Sequence, residues 1–187
     1  MPPKVKITKD EIVEAAVNIL RQSGVRGLNA RTVAAALGCS TQPVFSNFAT
    51  MEALNWAVLL RVNGLCEEYI QRETESGEYP VYKASGMAYI RFAKEEKELF
   101  KFLYMRDRTA DPDFEKIELG EQMETIVRDH TGLVGAEMKL FHLEMWAFVH
   151  GIATIFATGY LDLEWGLVSQ MLTNAYLGLR RQYGLEV

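Results

Sequence analysis

Residues 28–54 read LNARTVAAALGCSTQPVFSNFATMEAL, and this stretch decides the fold. Val33, Ala34 and Leu37 give a first short helix one small apolar face, and Gly38-Cys39-Ser40 stops it, because glycine reaches positive φ without steric cost. Ser40 is placed to cap a second helix that starts at Thr41-Gln42-Pro43. Proline is tolerated in a first turn, where its missing N–H would have no partner in any case. Val44, Phe45 and Phe48 are expected to point inward. That leaves Thr41, Gln42, Ser46 and Asn47 outside, short polar groups able to donate and accept at base edges in a major groove. The arrangement is a helix-turn-helix with a reading helix.

Upstream, Thr8 and Glu11 have the spacing of a capping box and Ile7 and Ile12 that of a hydrophobic staple. They open an amphipathic helix over about 9–23, whose buried stripe is Ile12, Ala15, Ala16, Ile19 and Leu20 and which Gly24 and Gly27 end. Lys4, Lys6 and Lys9 precede or begin it, either as an arm near phosphates or as a solvated tail. Downstream, Thr50 caps a long helix over 51–76 with Leu54, Val58, Val62, Leu65, Tyr69 and Ile70 along one side.

The small-residue helix, the Leu37-Gly38-x-Ser40 turn, Phe45-x-x-Phe48 and the helix that follows resemble the TetR family of transcriptional repressors. The resemblance lies in the first quarter of the chain. Two positions depart from the pattern: Phe45 stands where the family usually has a Tyr whose hydroxyl reaches a phosphate, and Met51 where a phosphate-binding Lys is usual. The resemblance implies an all-α chain, with a helix-turn-helix DNA-binding domain over 1–49 and a helical effector-binding and dimerisation domain over 50–187. It implies double-stranded DNA, a small-molecule effector and a second copy of the chain as partners. The DNA-contact set is Arg31, Ser40, Thr41, Gln42, Pro43, Ser46, Asn47 and Thr50; a solvated surface role is the rival for Arg31.

A chain of 187 residues, 49% hydrophobic and 24% charged, buries a sizeable core. Its N-terminal peptide has no apolar run of a signal or anchor, so the cytoplasm is the expected address. The formal net charge of -5 is unevenly divided: residues 1–48 carry six Lys or Arg against three Asp or Glu, and the remainder is strongly acidic. An acidic body repels DNA and favours docking by the basic end. Cys39 and Cys66 have no partner at metal spacing and read as small buried hydrophobes.

Beyond a turn at 76–80, helices are expected over about 81–94 and 96–105, dense in aromatics, then a polar loop at 106–113, a polar helix over 114–130 closed by Thr131-Gly132, an apolar helix over 136–158 and a last helix over 164–183 behind a cap region at Asp162. Residues 145–161 carry no formal charge, near the lower edge of a membrane span, but His150, Thr154, Thr158, Gly151 and Gly159 interrupt the run and no basic flank anchors it. A helix buried in a soluble fold is the reading, with no membrane partner. The resemblance makes the last two helices the homodimer interface, where Gly151, Ala153, Ala157, Ala175 and Gly178 permit close approach.

No metal site is expected, since His142 and His150 lie eight residues apart rather than the four of a helical chelate. No glycine-rich phosphate cradle, nucleophile elbow or paired-cysteine motif is present, so neither a cofactor nor an enzyme is expected. Trp146-Ala147-Phe148-Val149-His150-Gly151 resembles a Trp-x-x-x-His-Gly signature in the effector domain of one branch of TetR repressors. The ligand-binding set is Tyr89, Phe92, Phe102, Met105, His142, Met145, Trp146, Val149 and His150, which serves equally as plain core packing. The expected function is a DNA-binding regulator, a repressor released by an apolar or amphipathic ligand; the alternative is a ligand- or protein-binding module of the same fold with weak or lost DNA binding, favoured by Phe45 and Met51.

Overall fold

The computed structural model describes residues 7–109 and 120–186, and the described residues are helical throughout, without a strand. The helices are α1 (Lys9–Gly27), α2 (Ala30–Ala36), α3 (Gln42–Asn47), α4 (Met51–Ser76), α5 (Val81–Glu95), α6 (Lys97–Tyr104), α7 (Glu121–Thr131), α8 (Gly135–Thr158) and α9 (Trp165–Gln182). Lys4, Lys6, the second half of the 106–113 loop and the start of the helix expected over 114–130 lie outside the described residues; that helix is seen from Glu121.

Two compact units divide the chain. The first holds α1, α2, α3, the part of α4 up to Cys66, and α6; the second holds the rest of α4, α5, α7, α8 and α9. The boundary expected at 49/50 on sequence falls at the start of α4, whereas the compact units divide that helix and take α6 from beyond it. The reason is packing: α6 lies on α1, where Arg21 donates to Glu96 at 2.7 Å, and its Leu99 and Phe100 are fully buried.

In the first unit Thr8 caps α1, with its side chain accepting from the Glu11 N–H and the Glu11 carboxylate accepting from the Thr8 N–H at 2.8 Å. Ile12, Ala16, Val17 and Leu20 form the buried stripe; Ala15 and Ile19 are only half-buried, because the stripe drifts toward Val17 as α1 turns to face both α2 and α6. Gly24 breaks the helix at φ 64° and ψ -175°, and a further turn continues to Gly27. Leu54, Val58 and Val62 of α4 are buried, with Cys66 rather than Leu65 taking the next place four residues on. Thr50 accepts from the Ala53 N–H, the N-cap expected for α4.

In the second unit α5 is buried nearly all round, the mark of a central helix, and packs on α7, α8 and α9. Helix α8 is long and apolar enough to cross a membrane by length and composition. Its Met138, Phe141, Met145, Val149, Ile152, Ala153, Phe156 and Ala157 recur at helical spacing and are buried within the unit. Gly132 and Gly159 close α7 and α8 in the left-handed conformation. The cap of α9 is Glu164, whose carboxylate accepts from the Gly166 and Leu167 N–H groups; Asp162 instead pairs with Lys94 at 2.7 Å.

Candidate functional site

The α2–α3 corner is built by local chemistry. Asn29 caps α2, accepting from the Arg31 and Thr32 N–H groups while Thr32 accepts from the Asn29 N–H, a capping box legible in Asn-x-x-Thr but overlooked on sequence. At the far end the Cys39 N–H reaches the Ala34 carbonyl at 2.9 Å and the Gly38 N–H reaches Ala35, with Gly38 at φ 63°. This is a Schellman closure, and it sets the angle at which the chain enters α3. Helix α3 has Pro43 in its first turn, but its N-cap is Thr41, in helical conformation and without a side-chain cap bond, so Ser40 does not perform the capping expected of it.

Val44 and Phe48 anchor α3 in the core, whereas Phe45 is 48% exposed and points outward, against expectation. The geometry of a six-residue helix explains it: positions 44 and 48 lie four apart on one face, and 45 shares the opposite face with Gln42 and Ser46. Arg31, Ser40, Gln42, Ser46 and Thr50 are exposed, and Thr41 and Pro43 half-buried. Ser46 donates to the Gln42 carbonyl at 2.8 Å, and its oxygen remains an acceptor. Asn47 differs from its expected role: its amide donates to the Pro43 carbonyl at 2.9 Å and to the Ile7 carbonyl at 3.3 Å, which ties α3 to the start of α1. Thr50 is likewise engaged at the α4 cap.

The second unit encloses a cavity of about 340 Å³ among α5, α7, α8, α9 and the end of α4. Tyr89, His142, Met145, Trp146 and Val149 of the expected set line it. The other expected residues lie elsewhere. Phe92 is fully buried one turn further along α5, beyond the cavity lining and edge-on to Tyr69. Phe102 of α6 and Met105, its C-cap, belong to the first unit. His150 sits behind the wall, its Nδ1 2.9 Å from the Tyr89 hydroxyl and its ring stacked on Trp146 at 4.8 Å. The lining that sequence reading missed comes chiefly from α5 and α9 (Tyr82, Lys83, Ser85 and Gly86, and Leu172, Thr173 and Tyr176), with Ile70 of α4, Pro80, and Met123 and His130 of α7. Only long-range packing reveals it, although Gly86 inside a helical run was a signal of close approach: a Cβ there would lie 3.1 Å from Leu172.

Most polar groups of the lining are paired with one another. The Tyr82 hydroxyl is 3.2 Å from His142 Nδ1, Ser85 donates to the Tyr82 carbonyl, and Tyr176 donates to the His130 carbonyl. Burial lowers the His142 pKa to about 4, so its imidazole is neutral near pH 7 and shares one hydrogen bond with the Tyr82 hydroxyl. Burial, and to a lesser degree Tyr176, pushes the Tyr82 hydroxyl up. The arrangement is a dry aromatic chamber suited to holding an apolar body. Among the described residues no group of three or more His, Cys, Asp or Glu is placed to hold a metal ion. Cys66 is buried and accepts from the Tyr104 hydroxyl, Cys39 is half-exposed in the α2–α3 turn, and neither is in a disulfide.

Known proteins place this geometry. Residues 82–173 match the family described as Tetracyclin repressor-like, C-terminal domain. No curated protein sequence matches the chain. A TetR-like transcriptional regulator from Rhodococcus sp. RHA1 shares the fold with a TM-score of 0.65 at 15% identity, covering 98% of this chain and 99% of that one. A protein of unknown function from Rhodococcus sp. RHA1 superposes at 0.71 and 22% identity, over 100% and 98% of the two chains. A member of the TetR family from Streptomyces coelicolor A3 does so at 0.64 and 18%, over 89% and 96%. Residues 82–173, just under half of the chain, thus match the tetracyclin repressor-like C-terminal domain, and the fold is the one these TetR-like and TetR-family proteins share.

Proposed function

We propose that the protein is a cytoplasmic, homodimeric regulator that reads a specific duplex sequence with α2 and α3 and responds to a small molecule held in the cavity of its second unit. The observation that carries this reading is the outer face of α3, where Gln42, Phe45 and Ser46 stand exposed, as does Arg31 of α2, on the basic end of an acidic chain. Gln42 and Arg31 have the donor and acceptor patterns for bidentate pairing with adenine and guanine, and an outward Phe suits a thymine methyl. Packing of the Phe45 ring on such a methyl offsets in part the want of a Tyr hydroxyl at the phosphate.

Dimerisation has its own support. Leu140, Phe148 and Leu167 are exposed on α8 and α9, and Gly151 and Gly178 stand there in helix interiors where a Cβ would meet nothing within 4 Å. An exposed helix-interior glycine costs about 1 kcal/mol relative to alanine, and a second copy of the pair of helices in close approach accounts for both. Ala153 and Ala157 are spent on packing inside the chain and leave that role to the glycines.

The cavity is coupled to the reading end through the chain itself. Helix α4 begins in the first unit and ends in the second, where Ile70 lines the cavity. A ligand that fits one setting of α4 changes operator affinity by its differential affinity for the two settings, about 1–3 kcal/mol. Incubation with sheared genomic DNA of the host, followed by sequencing of the retained fragments, tests the reading: discrete peaks sharing a two-fold symmetric sequence support it, and uniform coverage rejects it in favour of a ligand- or protein-binding module.

A further inference from the structure

The cavity has one lysine ammonium that no carboxylate among the described residues pairs with. Lys83 stands in the first turn of α5, half-buried in the cavity wall, and its ammonium donates to the Thr173 hydroxyl at 2.9 Å and sits 4.9 Å from the Tyr79 ring centroid. No carboxylate among the described residues lies within 4.0 Å of it. In the neighbouring segment the Glu73 carboxylate is engaged with Arg91 at 3.1 Å. Thr173 spends its own hydrogen on the Ser169 carbonyl, so it offers an acceptor and cannot neutralise a cation.

The position is electrostatically unusual. A helix start carries positive partial charge from its free N–H groups and is ordinarily matched by Asp or Glu. The first turn of α5 has no acidic residue and holds a lysine instead. Burial lowers the Lys83 pKa, and an anion placed beside the ammonium would favour its charged form. The other polar groups around the cavity, Tyr82 with His142 and Tyr176 with the His130 carbonyl, are mutually satisfied and neutral toward a ligand.

Resting on the reading of this cavity as the effector site, we propose that its ligand is an amphipathic monocarboxylate: the carboxylate accepts from the Lys83 ammonium beside the α5 N-terminus, and an alkyl or aryl body lies against Tyr82, Met145, Trp146, Val149 and Leu172. A charge-assisted hydrogen bond in a dry site separates such an acid from its uncharged amide by about tenfold or more in affinity.

The test uses the full chain and an uncharged fluorescent probe, N-phenyl-1-naphthylamine, which reports on the apolar cavity alone. Displacement of the probe is then compared for naphthaleneacetate and naphthaleneacetamide, and for decanoate and decanamide. The expected result is that each acid displaces the probe about tenfold more tightly than its amide. Lys83→Met abolishes that difference while leaving probe and amide affinities unchanged, and Lys83→Arg retains it. Unchanged probe binding shows that the variants are folded. Probe binding with no acid preference, or an acid preference that survives Lys83→Met, overturns the proposal and leaves the cavity reading standing. Failure of the wild type to bind the probe overturns the cavity reading, and the proposal with it.

Discussion

At the scale of single residues, Arg31 and Gln42 carry the proposed sequence reading, since both side chains are exposed at the α2–α3 corner. Arg31→Ala and Gln42→Ala are each expected to weaken operator binding by about 1–3 kcal/mol and nonspecific binding by less; anisotropy titrations on operator and scrambled duplexes measure both, and undiminished operator affinity in the two variants would dismiss this surface. His142 gives a pH signature. Its folded pKa, near 4, lies below the 6.5 of the free side chain, so between these values the unfolded chain binds the extra proton and stability falls as the pH drops. The loss across that window is at most about 3 kcal/mol. Urea unfolding of wild type and His142→Gln at pH 7.5 and 5 checks it: the variant should lose less on acidification, though not nothing, because burial lowers His150 in the same sense.

At the scale of elements, Gly24 is the position where α1 is bent before meeting α2. Alanine there would have to adopt φ 64° and would place a Cβ 2.6 Å from Glu98 Oε2 on α6. The carboxylate can swing away, so the backbone term dominates, and Gly24→Ala is expected to cost about 1–2 kcal/mol in urea unfolding; a neutral substitution would show that the bend is not required. The helices themselves were legible in the sequence because their signals are local: the Thr8 capping box, the Gly38 stop, Pro43 and the Gly132 closure each act within a few residues. What was not legible depends on distant partners. That α6 belongs with α1 rests on Arg21 and Glu96, 75 positions apart, and no periodicity reports it. The cavity was half visible, since the α8 residues Met145, Trp146 and Val149 announce an aromatic wall, while the opposite wall at Lys83, Gly86 and Thr173 consists of residues that look ordinary until α5 and α9 are brought together. Phe102 was misplaced for the same reason: aromatic density alone does not say which core a helix joins.

At the scale of the whole molecule, the proposal requires two copies. Gly151→Arg enters open space within the chain, so helix content should remain while light scattering shows monomers at micromolar concentration; a dimer that survives would move the interface elsewhere. Trp146→Ala, which removes part of the cavity wall and the stack on His150, should change the response of operator binding to a cavity ligand and leave ligand-free binding intact, because Trp146 lies outside the unit that holds α2 and α3. An identical ligand response in wild type and variant would remove Trp146 from the coupling. A two-fold dimer also dictates the form of its target, since two copies of α3 on one face of the duplex meet half-sites about one helical turn apart or somewhat more. The most direct measurement is therefore selection of bound sequences from a random duplex pool by the full-length protein. The account expects enrichment of a two-fold symmetric sequence with that spacing; recovery of a pool indistinguishable from the input, or of a lone half-site without its symmetric mate, would contradict it.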